Sequence, residues 1–267
     1  MPTLAEVTRE LLKAYNRYPR KNLGQHFLID PQVLQRIIHA AELNSADLVL
    51  EIGSGLGVVT SEIAKAAGRV IGIEIDSELI SMSKTILAGQ SNIDFILQDI
   101  LEADLTAIAH GERYKIIGNL PYYITAPIVE KIFLAQRKPE IAVIMVQKEV
   151  AERMTAAPGT KKYGSFSIFS QYYAQVSLNS FVSKSSFLPW PNVGSAVVVL
   201  KPYQTPRYEV KDEKRFFDIV HAAFQQRRKK LSNSLSEFNL DQTAVDLSRR
   251  PETLSIEEFA SLSNSLK

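Results

Sequence analysis

The tetrapeptide Asn119-Leu-Pro-Tyr122 follows an apolar run that predicts a strand, and it combines four groups with distinct chemical uses. Asn119 supplies an amide oxygen and Leu120 a backbone carbonyl. Pro121 makes a rigid turn that holds this carbonyl outward, and Tyr122 adds an aromatic ring. The exocyclic amine of a nucleobase is a poor nucleophile, because its lone pair is delocalised into the ring. Two acceptors can direct that lone pair and a stacked ring can fix the base, so these residues favour methylation of a base amine over a plain proline turn.

A second group of residues surrounds a glycine-rich turn earlier in the chain. Glu51-Ile-Gly-Ser-Gly-Leu-Gly57 follows a strand-like run, so Gly53 and Gly55 let the backbone approach a ligand closely. The third glycine stands one position too early for a dinucleotide fingerprint, which suits S-adenosylmethionine better than a pyrophosphate. Glu74 ends the next predicted strand, where a carboxylate can accept hydrogen bonds from ribose hydroxyls. An ordinary structural turn is the alternative interpretation of the glycines.

Two further acids follow predicted strands. Asp99, after the third strand, can accept a hydrogen bond from an adenine amino group, although a solvated loop acid would give the same pattern. We interpret Asp76 as the N-cap region of the following helix rather than as a ligand.

The composition argues against several other mechanisms. The chain has no cysteine, which removes thiol nucleophiles, disulfides and cysteine-ligated zinc. Its four histidines are scattered without metal-ligand spacing, so we expect no metal site. Methyl transfer to a ring carbon of cytosine usually needs a cysteine nucleophile, whereas direct attack by an amine nitrogen needs none.

Alternating strand and helix patterns predict an α/β fold that brings these residues together. Five apolar runs alternate with helical stretches, and two later runs are expected to complete a seven-stranded, mostly parallel sheet. The predicted strands are 48–52, 70–75, 93–97, 114–118, 141–146, 176–182 and 195–200, the last two as an antiparallel pair. The predicted helices are 4–15, 31–43, 58–67, 77–87, 125–134, 212–225, 227–237 and 255–266. The pattern is that of a Rossmann-like, S-adenosylmethionine-dependent methyltransferase.

The chain becomes helical and polar after Pro206, which indicates a second, smaller domain. We predict a methyltransferase domain at residues 1–204, with a helical and basic segment at 1–45, and a helical RNA-binding domain at 205–267. The net charge is only +2, but 71–104 carries net −6 and 207–231 net +4. Basic residues near both ends are therefore candidates for RNA contact, against the alternative of a solvated charged face. They are Arg17, Arg20, Lys21, Arg227, Arg228, Lys229 and Lys230.

The motifs together resemble those of the ribosomal RNA adenine dimethyltransferases, specifically the small-subunit branch associated with kasugamycin resistance. The resemblance covers nearly the whole chain and rests on segments 22–28, 51–57, 74–76, 98–99, 119–122, 187–195 and 224–231. It implies dimethylation of the N6 amines of two adjacent adenosines near the 3′ end of small-subunit rRNA. It also implies S-adenosylmethionine as the cofactor, the small ribosomal subunit or its precursor as the partner, and a role in biogenesis of that subunit.

The same resemblance assigns roles to individual residues. His26 and Leu28 would close over the cofactor from the N-terminal segment, and Asn119 would bridge the cofactor and the target amine. The implied cofactor-binding residues are His26, Leu28, Gly53, Gly55, Glu74, Asp99 and Asn119. Phe187 would stack on the target adenine from the side opposite Tyr122. The implied catalytic residues are Asn119, Leu120, Pro121, Tyr122 and Phe187.

The sequence departs from the usual family pattern at a few positions. His26 stands where the family often has Asn, and either side chain can form a hydrogen bond. Trp190, Asn192 and Gly194 stand where the family usually has more prolines and a Lys and Asp. We expect Trp190, the only tryptophan, to pack against the protein rather than stack on RNA.

Other functions stay open at this point. A related enzyme of the large-subunit branch would confer antibiotic resistance, and DNA adenine or protein amide methyltransferases could share the tetrapeptide. A ribosome-assembly factor could act mainly by binding. The N-terminal residues do not form a secretory signal and no apolar run is long enough to span a membrane, so we expect a cytoplasmic protein, and a monomer.

Overall fold

Strands and helices alternate along the computed structural model, which describes residues 3–20, 24–238 and 243–265. The strands in these ranges are β1 (Phe27–Leu28), β2 (Leu48–Ile52), β3 (Arg69–Glu74), β4 (Ile93–Leu97), β5 (Lys115–Asn119), β6 (Ala142–Gln147), β7 (Ala174–Val182), β8 (Phe187–Leu188) and β9 (Ser195–Pro202). The α-helices are α1 (Leu4–Ala14), α2 (Pro31–Ala40), α3 (Val58–Ala66), α4 (Ser77–Ile86), α5 (Leu105–Ile108), α6 (Thr125–Leu134), α7 (Lys148–Met154), α8 (Ser165–Tyr173), α9 (Glu213–Gln225), α10 (Leu231–Ser234) and α11 (Ile256–Asn264).

The predicted mostly parallel seven-stranded sheet is confirmed, with the order β4-β3-β2-β5-β6-β9-β7. Strands β2 to β6 pair in parallel, and β9 runs antiparallel to β6. Every residue of β2 is buried, as expected for a strand covered by helices on both faces. Ile52 at the end of β2 is in register with Ile73 of β3 and Gly118 of β5. The carboxyl ends of the central strands therefore meet at one edge, where α/β sheets bind their ligands.

Local sequence signals place the starts of several helices. Thr3 and Glu6 form a capping box at the start of α1, and Ser255 and Glu258 form one at the start of α11. Asp30 caps α2, whose first residue is a proline. This helix ends at Ala40 rather than near residue 43, because Glu42 adopts a left-handed conformation that stops the helix.

The chain forms two compact units. The first runs to Ala151 and also includes Ser177–Pro202, and the second consists of Glu152–Val176 and the residues from Tyr203 onward. The segment 152–176, which the sequence analysis placed in the first domain, thus belongs to the second unit. There α8 packs on α9, and the hydroxyls of Tyr172 and Tyr173 donate to Glu213.

The prediction of a helix at 227–237 is wrong, because only the single helical turn α10 forms there. Lys230 is extended, and the N–H groups of Leu231 and Ser232 donate to the carbonyls of Arg249 and Leu247. Contacts with distant backbone therefore replace the local helical hydrogen bonds. In the parts of the chain that the structure describes, no helix is long and apolar enough to cross a membrane.

Candidate active site

The glycine-rich turn after β2 requires backbone angles that only glycine adopts easily. Gly53, Gly55 and Gly57 have φ values of 74°, 56° and 76°, and α3 begins immediately afterwards. A Cβ at Gly55 would lie in ordinary contact with the Phe27 ring, 3.5 Å away, so the left-handed backbone rather than a lack of space favours glycine there. The turn therefore brings the main chain of Gly53 and Gly55 to the wall of a cavity that Glu74 also lines.

Glu74 joins this turn to the end of β3. One carboxylate oxygen accepts from the N–H of Gly55 at 3.0 Å, and the other accepts from Ile75 and Asp76 at 2.9 and 3.0 Å. Burial raises the pKa of Glu74, while these three donors act in the opposite direction. The donors hold the carboxylate in place at the cavity wall, where its other lone pairs can accept from a ligand hydroxyl.

Two polar groups that the sequence analysis did not assign also line the cavity. Glu51 is almost completely buried, and burial raises its pKa to about 8, helped by the nearby Glu74 and opposed by a hydrogen bond from Thr60. The hydroxyl of Ser54 is buried without a hydrogen-bond partner among the described residues. Buried polar atoms are normally paired, so this cavity has the character of a site for a polar ligand.

Asp99 lies in the same cavity, as predicted from its place after β4. One of its carboxylate oxygens accepts from the N–H of Leu101 at 2.8 Å, which fixes the side chain at the end of the strand. The structure thus brings Asp99 together with Glu74 and the glycine turn. Its contact with an adenine amino group stays a prediction.

Asn119 ends β5, which lies on the other side of β2 from Glu74, and it forms a second wall of the cavity. Its Nδ2 donates to the carbonyl of His26 at 2.9 Å, so the amide oxygen is the atom left to accept. Leu120 is buried, with its N–H donating to Met145 on β6. Pro121 then opens a short 3₁₀ turn at Tyr122–Ile124. The strand pairing and the proline together fix the turn on which the predicted chemistry depends.

Tyr122 is half-buried beside this turn. Its hydroxyl shares a hydrogen bond of 2.7 Å with Ser195, and burial raises its pKa, so the hydroxyl stays protonated near neutral pH. The ring stacks on that of His26, with centroids 5.8 Å apart and planes 24° apart. Tyr122 is therefore oriented from both ends. In this structure, the aromatic ring stacked on it is a histidine.

Phe187 lies elsewhere than its predicted role requires. It is fully buried in a hydrophobic cluster with Leu28 and Val33, and the strand pairing of β1 and β8 places it opposite Leu28. A ring enclosed in this way does not line the cavity in the present structure. The proposed sandwich of the target base by Phe187 stays a prediction that requires the ring to become accessible.

The N-terminal segment forms one side of the cavity through His26 and Leu28. The Nδ1 atom of His26 lies 2.8 Å from the carbonyl of Pro189, and since a carbonyl only accepts, this nitrogen carries the proton. The main chains of Phe27 and Leu188 pair at the same place. His26 and Leu28 thus line the cavity, and their closing over a cofactor stays a prediction.

The basic residues of the N-terminal segment have acidic partners. Arg17 binds Asp76 at 2.8 Å and also contacts Glu78, and Arg20 lies within 3.6 Å of Asp76 and 3.3 Å of Glu78. Their charges are therefore matched by the start of α4, and they attach the segment to the sheet. Contact with RNA at Arg17 and Arg20 stays a prediction, and Lys21 lies outside the described residues.

The basic run of the second unit divides into two parts. Arg227 donates to the carbonyls of Lys161 and Thr160 at 2.7 and 3.1 Å, so it has a structural role. Arg228, Lys229 and Lys230 are exposed. An exposed basic run fits phosphate contact, which stays a prediction for these residues.

The geometry can be compared with known proteins. The ribosomal RNA adenine dimethylase family matches residues 16–267. The chain is 42% identical to ribosomal RNA small subunit methyltransferase A of Bacillus mycoides over 97% of this chain and 95% of that protein. It is 41% identical to the protein of the same name from Enterococcus faecalis, over 97% and 94%. The chain therefore belongs to the ribosomal RNA adenine dimethylase family.

Solved structures agree with this assignment. A dimethyladenosine transferase from Plasmodium falciparum superposes with a TM-score of 0.76 at 26% identity, over 89% of this chain and 96% of that one. The 23S rRNA methyltransferase ErmE superposes with a TM-score of 0.72 at 27% identity, over 90% and 99%. The protein is a Rossmann-like methyltransferase whose cofactor is S-adenosylmethionine.

The cavity fits this cofactor. The carboxylate of Glu74 can receive ribose hydroxyls, the glycine turn admits a close approach of the backbone, and the buried hydroxyl of Ser54 has no partner among the residues that the structure describes. The cofactor supplies an electrophilic methyl group on a sulfonium. The reaction also requires a group that directs the accepting nitrogen, and this role stays a prediction for the turn at Asn119.

Proposed function

We propose that this protein dimethylates the N6 amines of two adjacent adenosines near the 3′ end of small-subunit rRNA. The supporting observation is the position of Asn119. Its amide nitrogen is occupied by His26, which leaves its oxygen as an acceptor in the same cavity as Gly53 and Glu74. The relatives at 41–42% identity are named for the small subunit, which favours that branch.

In the proposed reaction the chain acts by positioning. The amide oxygen of Asn119 and the backbone carbonyl of Leu120 accept the two N–H groups of the target amine, so that its lone pair points at the methyl group. Tyr122, held by Ser195 and His26, supplies a fixed aromatic surface for the base. The amine nitrogen forms a bond to the methyl carbon as the bond from carbon to sulfur breaks, and the alkylated amine then loses a proton to solvent. No covalent enzyme intermediate is needed.

The partner in this proposal is the small ribosomal subunit or its precursor in the cytoplasm, and the protein acts as a monomer without a metal. The exposed basic run at Arg228, Lys229 and Lys230 supports contact with rRNA phosphates. Independence from metal predicts that a chelator leaves the rate of methyl transfer unchanged.

The direct test uses S-adenosylmethionine labelled in its methyl group and small subunits that lack adenine dimethylation. After incubation the rRNA is digested to nucleosides, and we expect labelled dimethyladenosine. The matched control is the Asn119→Ala variant, which removes the acceptor and should give no label. Small subunits that stay unlabelled with the wild-type protein would contradict the proposal.

The similarity to ErmE supports a second candidate, adenine methylation in large-subunit rRNA. The same assay with large subunits separates the two functions. Label confined to large-subunit rRNA would establish the second candidate and reject the first.

A further inference from the structure

Trp190 is exposed, contrary to the expectation that it packs against the protein. It is the only tryptophan of the chain, and 69% of its surface is accessible. An indole exposed to this extent offers a large aromatic face on which a partner can stack.

The segment that carries Trp190 is attached to the candidate active site at both ends. On one side the carbonyl of Pro189 binds His26, and on the other Ser195 binds the hydroxyl of Tyr122. Lys184 donates to the carbonyl of Asn192 between them. Since His26 and Tyr122 stack on each other, the segment is held beside the aromatic surface proposed for the target base.

A mostly apolar groove with two exposed cations among its lining residues adjoins this segment at Pro189. Leu188 and Pro189 form one wall, and the end of α1 provides Arg9 and Lys13, both exposed. Tyr18 also lines this groove and is 81% exposed. Exposed aromatic rings combined with nearby cations are the pattern of a surface for single-stranded nucleic acid, in which bases stack and phosphates meet basic groups.

We propose that Trp190 stacks on a nucleotide next to the target adenosine, and that Arg9 and Lys13 contact the phosphates of the same strand in this groove. The inference rests on the proposed function, because it takes the rRNA substrate as given. It adds a site for the RNA strand that flanks the target, and its central residue, Trp190, is one at which this chain departs from the usual family pattern. The exposed cations Arg9 and Lys13, together with the exposed rings of Trp190 and Tyr18, favour RNA over an apolar protein segment as the occupant.

A photoreactive benzophenone amino acid in place of Trp190 tests the site directly. The full-length variant is bound to small subunits that lack dimethylation and then irradiated. We expect cross-links to rRNA at the immediate neighbours of the methylated adenosines. The control places the same group at Leu134, an exposed apolar residue at the end of α6. Cross-links from position 190 only to a ribosomal protein, or to rRNA remote from these adenosines, would overturn the proposal.

Kinetics give an independent readout. Trp190→Ala should raise the KM for small subunits roughly tenfold while kcat changes little, because base stacking contributes to binding. Trp190→Phe should restore most of the loss, and the Kd for S-adenosylmethionine should stay the same in both variants. An unchanged KM for Trp190→Ala would also refute the site. If the wild-type protein fails to methylate small subunits, the proposed function fails instead, whatever these variants do.

Discussion

The two walls of the candidate active site are held in different ways. The wall at Glu74 is fixed by backbone groups, since three main-chain N–H donors hold one carboxylate. The wall at Asn119 is fixed by segments that are distant in sequence, since its amide donates to the backbone carbonyl of His26 and the hydroxyl of the neighbouring Tyr122 shares a hydrogen bond with Ser195. The Glu74 wall, which is held by its own main chain, suits the cofactor, which is the same molecule in every reaction. The Asn119 wall depends on contacts from distant segments, and a large RNA substrate can rearrange these contacts when it binds.

The largest expected effect on cofactor binding follows from removing the carboxylate at the first wall. Glu74→Ala leaves three main-chain N–H groups without their acceptor and removes the proposed ribose contact. Hydrogen bonds to charged groups contribute about 1.5–3 kcal/mol each, so we expect the Kd for S-adenosylmethionine to rise roughly a hundredfold. Calorimetric titration measures it. Glu78→Gln, an exposed neighbour, is the control, and equal effects of the two variants would contradict the assignment.

Glu51 should make stability depend on pH. Its folded pKa of about 8 lies above its ordinary value of 4.5, so the folded protein keeps a proton that the unfolded chain has lost. The free energy of unfolding should therefore fall as pH rises between these values. Glu51→Gln cannot ionise, so its thermal stability relative to wild type should increase between about pH 5.5 and about pH 8. A difference in Tm that is constant over this range would refute the buried, protonated Glu51.

The smallest expected effect concerns the ion pairs of the N-terminal segment. Side-chain exposures are 16% and 2% for Arg17 and Asp76, but 45% and 56% for Arg20 and Glu78. Arg17→Ala leaves a buried carboxylate without its closest cation, so the Kd for S-adenosylmethionine should rise several-fold. Arg20→Ala removes an exposed ion pair worth less than about 1 kcal/mol, so the Kd for S-adenosylmethionine should change little. The reverse order, measured by the same titration, would show that Arg17 does not secure the segment.

The first wall is also the part that the sequence predicted well. Gly53, Gly55, Glu74 and Asp99 were all expected at one edge of the sheet, because each follows a strand and parallel strands end together. Positions that backbone geometry determines can be derived from spacing along the chain. The same reasoning predicted a mostly parallel, seven-stranded sheet, but it did not predict the order of the strands or the antiparallel pairing of β9 with β6.

Side-chain environments set by distant contacts could not be predicted. Phe187 is buried because the short strands β1 and β8 pair across about 160 residues of chain, and two-residue strands carry no local signal. The helix α8 was missed because its residues face the core on most sides, which removes the amphipathic pattern. The exposure of Trp190 likewise depends on the anchors of its segment rather than on its neighbours in sequence.

The most direct test of this account measures Asn119→Ala in two ways. Single-turnover methyl transfer to small subunits should fall by roughly a thousandfold or more, because the accepting amine is no longer directed. The Kd for S-adenosylmethionine should change less than about tenfold, because the Glu74 wall remains intact. A variant that still transfers methyl groups at close to the wild-type rate, or one that fails only because it no longer binds the cofactor, would contradict the role assigned to Asn119.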